Sequence, residues 1–366
     1  MAARFPLLSF PGGVPEELLK HMHIGTLINL SRISTTAFNL VRSSTLVHNE
    51  NSIMDVNIAS TGVVSVYRGV DQGAYCRFFG NRDSRRFEPT DCGVFHHQFS
   101  TKLMQNYNGY ADNNIEDVFE SIEYYALLFN VSIDTLTIDQ CQFHHLKAIQ
   151  SHPVLRKSKR VHFIGGTVSH NEMRQIMEGF NCEITQVSCS VEPDFNIVEP
   201  VFISDFQVIN GSWFKGPMLF NLSCHHLMIR NCVLTHEDVN KFIHQWVQGD
   251  GICGQPRTMY LNKRSNEEYE PNVYEDNQNR RWNMNKITEG LSYKTAPLPT
   301  DYYNFERTVY RPIDNQKLTL IKLENDELGD VLILQSDLDP NNSTICPLEH
   351  FNATFFNRIQ RFVLDD

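Results

Sequence analysis

The sequence predicts a chain of mixed α+β and α/β class, in which a small helical module precedes a larger domain of strands and helices. Three observations carry that expectation. Between Phe5 and Val41 three short apolar patterns recur at helical spacing. From Ile53 the texture changes to short apolar runs separated by Gly and Asp turns. Strand-like runs then begin near Leu136, Val161, Val187, Val208, Leu227 and Met259, roughly 19 to 32 residues apart, which brackets the spacing of short β–helix repeats.

Pro15 with Glu16 and Glu17 marks the first helix start. Proline at the first helical position loses no useful N–H, and early carboxylates complement the helix dipole. Leu18, Leu19 and Met22 give that helix its apolar face; a second carries Leu27, Ile28 and Leu30. A third begins near Ser34 or Thr35 and carries Ala37, Phe38, Leu40 and Val41. Helices this short are marginal alone, because nucleation is costly, so they must pack on one another. Their apolar surplus implies docking, either on the rest of the fold or on another protein.

Ile53–Ile58, Val63–Tyr67 and Tyr75–Phe79 suggest a small antiparallel sheet. Ile115, Val118, Phe119, Ile122, Tyr125, Ala126 and Phe129 follow at helical spacing behind Asp112, an N-cap candidate. A weak repeat comes next: Val161 through Phe180 lies over Leu227 through Trp246 without a gap. Each copy is a strand, a turn ending in a Ser or Thr N-cap, and an amphipathic helix. A unit of that length cannot bury its own apolar face, so neighbours must stack. Lys263 to Gln316 is polar, rich in Asn, Glu, Tyr and Pro, and reads as an irregular insertion. Leu318–Leu323 and Val331–Gln335 form a hairpin pattern over Asn325 to Gly329, and a helical pattern through Phe355, Phe356, Ile359 and Phe362 follows.

Composition narrows the function. The net charge of -11 opposes nucleic-acid binding, which needs a basic face to displace phosphate counterions; Arg156-Lys157 with Lys159-Arg160, and Arg280-Arg281, read as solvated turns. No apolar run approaches a membrane span, and Pro6, Pro11 and Gly12-Gly13 interrupt any signal-peptide core. The nine cysteines include no C-x-x-C pair. Cys141, Cys182, Cys189, Cys224 and Cys232 read as small buried hydrophobes in a reducing compartment, cytoplasmic or nuclear. The pairs His96-His97, His144-His145 and His225-His226 invite a metal reading, but adjacent strand residues point to opposite faces. Cys141 or Cys224 beside a histidine lacks an oriented acid, and Gly165-Gly166 lacks the rest of a phosphate loop. No catalytic residue, metal or cofactor is expected.

Pro6-Leu7-Leu8, Phe10-Pro11, Leu18-Leu19, Leu27, Leu30, Ile33-Ser34 and Phe38 together resemble an F-box. Phe10-Pro11 stands where that family usually has Leu-Pro, Ile33-Ser34 where it has Val-Ser, and Phe38 where it often has Trp. A second resemblance lies at about 220–249. Leu234-Thr235, then Asp238-x-Asn240-Lys241-Phe242, then Trp246-x-x-Gly249 is similar to the core of the type-2 F-box-associated domain of nematode F-box families. In physical terms Thr235 caps the helix, Val239, Phe242 and Trp246 face inward, and Gly249 ends it. Asn240 is either a binding residue or, more simply, a local backbone partner.

The first resemblance implies a three-helix F-box module over residues 1–46; by its strand spacing the F-box-associated domain over 50–366 reads as irregular, leucine-rich-repeat-like α/β, with its insertion at about 263–316. The two resemblances imply a substrate adaptor of a cullin-based ubiquitin ligase, docking a Skp-family adaptor and, through it, a cullin. Pro11, Leu18, Leu19, Leu27, Leu30, Ile33 and Phe38 are then the docking or module-core residues, while the target-binding surface has no signature. The alternative is a protein-binding module outside any ligase, whose F-box-like helices serve internal packing.

Overall fold

The computed structural model describes residues 14–20, 22, 24–44, 52–58, 61–68, 72–79, 92–95, 115–249, 258–263, 281–295, 305–313, 315–323 and 330–336. The chain divides into two compact units, Met1–Cys189 and Ser190–Asp366, both of mixed α/β character. Pro11, the Asp112 cap, His96-His97 and the Phe355–Phe362 pattern lie outside the described residues.

The first unit opens with α1 (Val14–Lys20), α2 (Ile24–Ser31) and α3 (Thr35–Ser43). Ser34 is the N-cap of α3: its hydroxyl accepts the Ala37 N–H at 3.1 Å, satisfying one of the orphan donors of the first turn. The strands β1 (Ser52–Ile58), β2 (Thr61–Arg68), β3 (Gln72–Phe79) and β4 (Cys92–Phe95) pair antiparallel in sequence order. The long helix α4 (Ile115–Phe129) crosses back and feeds β5 (Ile133–Asp139). Then come α5 (Leu146–Ser151), β6 (Arg160–Ile164), the two-residue β7 (Thr167–Val168), α6 (His170–Gly179) and β8 (Ile184–Val187).

The antiparallel ribbon is not a separate small sheet. β1 pairs parallel with β5, β5 with β6, and β6 with β8. The reason is shared burial: Val56 lies opposite Leu136 and Ile58 opposite Ile138, and all four are sealed from solvent. Alternation at period two puts these side chains on one face and leaves Thr135, Thr137, His162 and Gln186 half-buried or more open on the other.

The second unit runs from β9 (Ser190–Val191) and β10 (Val201–Phe202) through β11 (Asp205–Val208), α7 (Met218–Asn221) and β12 (Leu222–Ser223). It continues with β13 (His226–Ile229), α8 (His236–Gln248) and β14 (Thr258–Asn262). β11, β13 and β14 are parallel neighbours, and the short β10 and β12 pair parallel beside them. Pro193 and Pro200 stand in the stretch before β11, where proline disfavours a helix, and no helix forms there. The stacked repeat is therefore irregular: α6 and α8 are full helices, whereas the connection between β11 and β13 has only a tight turn at Gly211–Trp213 and α7.

The polar stretch from Lys263 to Gln316, read from sequence as an irregular insertion, carries ordered elements. They are α9 (Met284–Ile287), β15 (Tyr293–Thr295) and β16 (Phe305–Tyr310). β17 (Lys317–Leu323) and β18 (Val331–Ser336) close the expected hairpin, giving the ladder β15-β16-β17-β18-β14. Polar composition hid these elements because some of the stretch's polar side chains, Thr288, Arg307 and Arg311 among them, are buried. Trp282 is sealed, its indole N–H donating to the Leu261 carbonyl at 3.1 Å. Its backbone N–H donates to Asp330 at 3.0 Å, and the same carboxylate oxygen meets Lys322 at 3.2 Å in a buried pair.

Candidate interaction surfaces

The helical array sorts the residues that sequence could only group. Leu19 and Leu27 are buried and, with Ile28, Ala37 and Val41, form the interior of α1–α3. Leu30 and Phe38 are half-buried. Leu18 is 36% exposed and Ile33 74% exposed, so these two lie on the outer side of the array.

The array also rests on α4, through contacts that sequence reasoning missed. The Ser31 hydroxyl and the Tyr124 hydroxyl lie 2.5 Å apart. Arg32 donates from Nη2 to the Tyr125 hydroxyl at 3.0 Å, with its guanidinium 5.9 Å from the Tyr124 ring. The Phe38 ring sits 5.5 Å from that of Tyr124. The paired aromatics of α4 were the available signal, since a hydroxyl on an otherwise apolar helix face needs a partner when half-buried.

The second surface centres on α8. Thr235 and Asp238 form a capping box: the Thr235 hydroxyl accepts the Asp238 N–H, and the Asp238 carboxylate accepts the Thr235 N–H. Ser169 and Glu172 do the same for α6, so the two copies of the repeat share their helix-start chemistry. Val239, Phe242, Ile243 and Trp246 are buried, and Gly249 ends the helix in a left-handed conformation at φ 75°. Asn240 is not a local backbone partner. Its Nδ2 donates to the carbonyls of Ile287 and Glu289 at 2.8 and 3.0 Å. His244 Nε2 also bonds the Glu289 carbonyl at 3.0 Å, and His236 Nε2 that of Arg281 at 2.9 Å. One side of α8 thus holds the segment from Arg281 to Glu289 by its backbone.

Among the described residues, the remaining candidates lie as follows. Burial pushes the Cys189 and Cys232 thiols up to about 12, far from thiolate chemistry. Cys224 is buried too, but Cys182 is half-buried and Cys141 is exposed, against the expectation of uniform burial. Cys141 sits on the tight helical turn Gln140–His145, where Phe143 takes the inward position. His144 and His145 belong to that same turn, not to a strand, with rings 3.9 Å apart. His225 and His226 are both exposed. Among the described residues no cluster of three or more His, Cys, Asp or Glu side chains is placed to hold a metal. Gly165 and Gly166 serve packing: a β-carbon on either would lie within 2.9 Å of the Gln140 side chain.

Residues 198–252 match the family described as F-box associated. The match spans β10 to the end of α8 and so includes both the expected core motif and the strands before it. No curated protein and no solved structure matches the chain. No helix among the described residues is long and apolar enough to cross a membrane.

Proposed function

We propose that this chain is a substrate adaptor of a Skp-cullin-F-box ubiquitin ligase, of the nematode F-box type. The F-box-associated match at 198–252 carries the reading, because it lies downstream of three short helices whose pattern resembles an F-box. In this reading Leu18 and Ile33 present the docking surface, Pro11 belongs to the same interface, and Leu19 and Leu27 hold the helices in place behind it. Leu30 and Phe38 contribute from its edge. The chain supplies no catalytic group or cofactor. It raises the effective concentration of a protein target near the ubiquitin-conjugating enzyme, in the cytoplasm or nucleus.

A second reading has one observation in its favour. The contacts of Ser31, Arg32 and Phe38 with Tyr124 and Tyr125 suit helices that serve internal packing in a non-ligase binding protein. Co-expression of the full chain with a Skp-family adaptor, followed by affinity capture, separates the two. A stoichiometric complex supports the ligase adaptor; capture of the chain alone supports the packing role.

A further inference from the structure

Within the matched segment most described apolar side chains are buried; Val198 and Phe202 are 70% and 65% exposed, ahead of Val233 at 50%. Val198 and Phe202 lie on one backbone strip that is hydrogen-bonded at Ile197 and from Val201 to Ser204. The Asn221 side chain donates to the Ile197 carbonyl at 2.6 Å, Val201 and Phe202 pair with Leu222 and Ser223, and the Ile203 N–H donates to the Ser223 carbonyl. The His225 N–H in turn donates to the Ser204 carbonyl at 2.7 Å. The His225 ring, also exposed, meets the Phe202 ring edge-on at 5.8 Å. An aromatic anchor displayed on fixed backbone binds without the cost of ordering a loop.

Every charged side chain from residue 190 to residue 204 is acidic. Glu199 is exposed between Val198 and Phe202, and Glu192 and Asp194 are exposed just upstream. The nearby base, Lys215, is already drawn to Asp194 at 3.3 Å. Complementarity of potential selects partners and steers encounter, so an apolar strip rimmed by carboxylates fits an apolar anchor on a basic chain.

We infer that Val198, Glu199, Phe202 and His225 form the target-receiving surface, and that its occupant is a basic peptide segment bearing a Leu or Phe anchor. The inference rests on the adaptor reading for its biological role, but its test does not depend on the ligase.

The probe is a set of immobilised degenerate peptide pools with a central Phe, Leu or Ser, flanked by Lys/Arg, by Ser/Gly or by Asp/Glu. Purified full-length chain is retained most by the Phe and Leu pools with basic flanks, and less as salt rises. Phe202→Ser lowers that retention at least about tenfold, and Glu199→Lys shifts the preference away from basic flanks. Both side chains are exposed, so thermal unfolding of the variants should match the parent. Retention that ignores the central residue and the flanks, or that survives both substitutions, overturns the inference. Capture of a Skp-family adaptor, run on the same proteins, stays unchanged in both variants; its failure in the parent would sink the ligase reading and leave the peptide profile standing.

Discussion

Asn240 on α8 donates to the Ile287 carbonyl at 2.8 Å, across 47 positions of sequence. Its second bond, to Glu289 at 3.0 Å, makes one amide the clasp between the helix of the F-box-associated match and a segment outside it.

That clasp should be measurable. Asn240→Ala removes both donors and should destabilise the chain by about 1–3 kcal/mol, read as a lowered urea midpoint with an unchanged slope. Asn240→Asp should be worse, because a carboxylate oxygen would then face two carbonyl oxygens. Equal stability of parent and Asn240→Ala would show that the contact contributes nothing.

Gly211 lies where backbone meets backbone. Its N–H donates to the Arg230 carbonyl at 2.7 Å, and a β-carbon would lie 2.7 Å from that oxygen and 2.4 Å from Ile229 Cγ2. Gly211→Ala should cost about 1–3 kcal/mol by urea unfolding, as overpacking does. Gly216→Ala is the comparison. A β-carbon there meets the Asp238 carboxylate oxygen at 2.1 Å and its Cβ at 2.9 Å, so the carboxylate must turn off the Thr235 N–H, a loss of about 1 kcal/mol by the same measurement.

His162 should make stability fall in acid. Burial first, and then the Arg160 charge, lowers its pKa from 6.5 to about 4, while its Nε2 lies 2.8 Å from the Ser188 hydroxyl. Below pH 6.5 the unfolded chain takes up a proton that the folded chain refuses until about pH 4. The contribution of neutral His162 is therefore complete above pH 6.5 and is lost as pH falls towards 4. His162→Gln, which keeps a hydrogen-bonding side chain, should lose less stability than the parent between about pH 7 and pH 5. The difference should be about 1 kcal/mol after allowance for its partial exposure. Parallel losses in both proteins would refute the assignment.

The elements with strong local signals were legible from sequence. Thr235, the Val239–Phe242–Trp246 face and Gly249 delimit α8 in sequence as they do in space, because capping and helical period are properties of a few neighbouring residues. Trp282 was not legible. It stands between Arg281 and Asn283 in a polar stretch, and its partners Leu261 and Asp330 lie 21 and 48 positions away. Arg307 was hidden in the same way. It is buried against the carbonyl of Met284 and the side chains of Asn285 and Thr288, and nothing local marks such an arginine as interior. At the candidate docking surface, periodicity found the apolar stripe but not its outward edge. Leu18 and Leu19 are neighbours on a two-turn helix, and only packing decides that Leu19 is sealed while Leu18 is not.

The central claim is that Leu18 and Ile33 dock a Skp-family adaptor. Calorimetric titration of the purified full chain with that adaptor tests it most directly, alongside Leu18→Asp, Ile33→Asp and Tyr124→Phe. The account predicts binding by the parent and by Tyr124→Phe. It predicts at least about a tenfold weaker Kd for each aspartate variant, a loss of about 1.4 kcal/mol, with thermal unfolding unchanged in Ile33→Asp, whose site is 74% exposed. No heat of binding with the parent, or equal affinity across the aspartate variants, would contradict it.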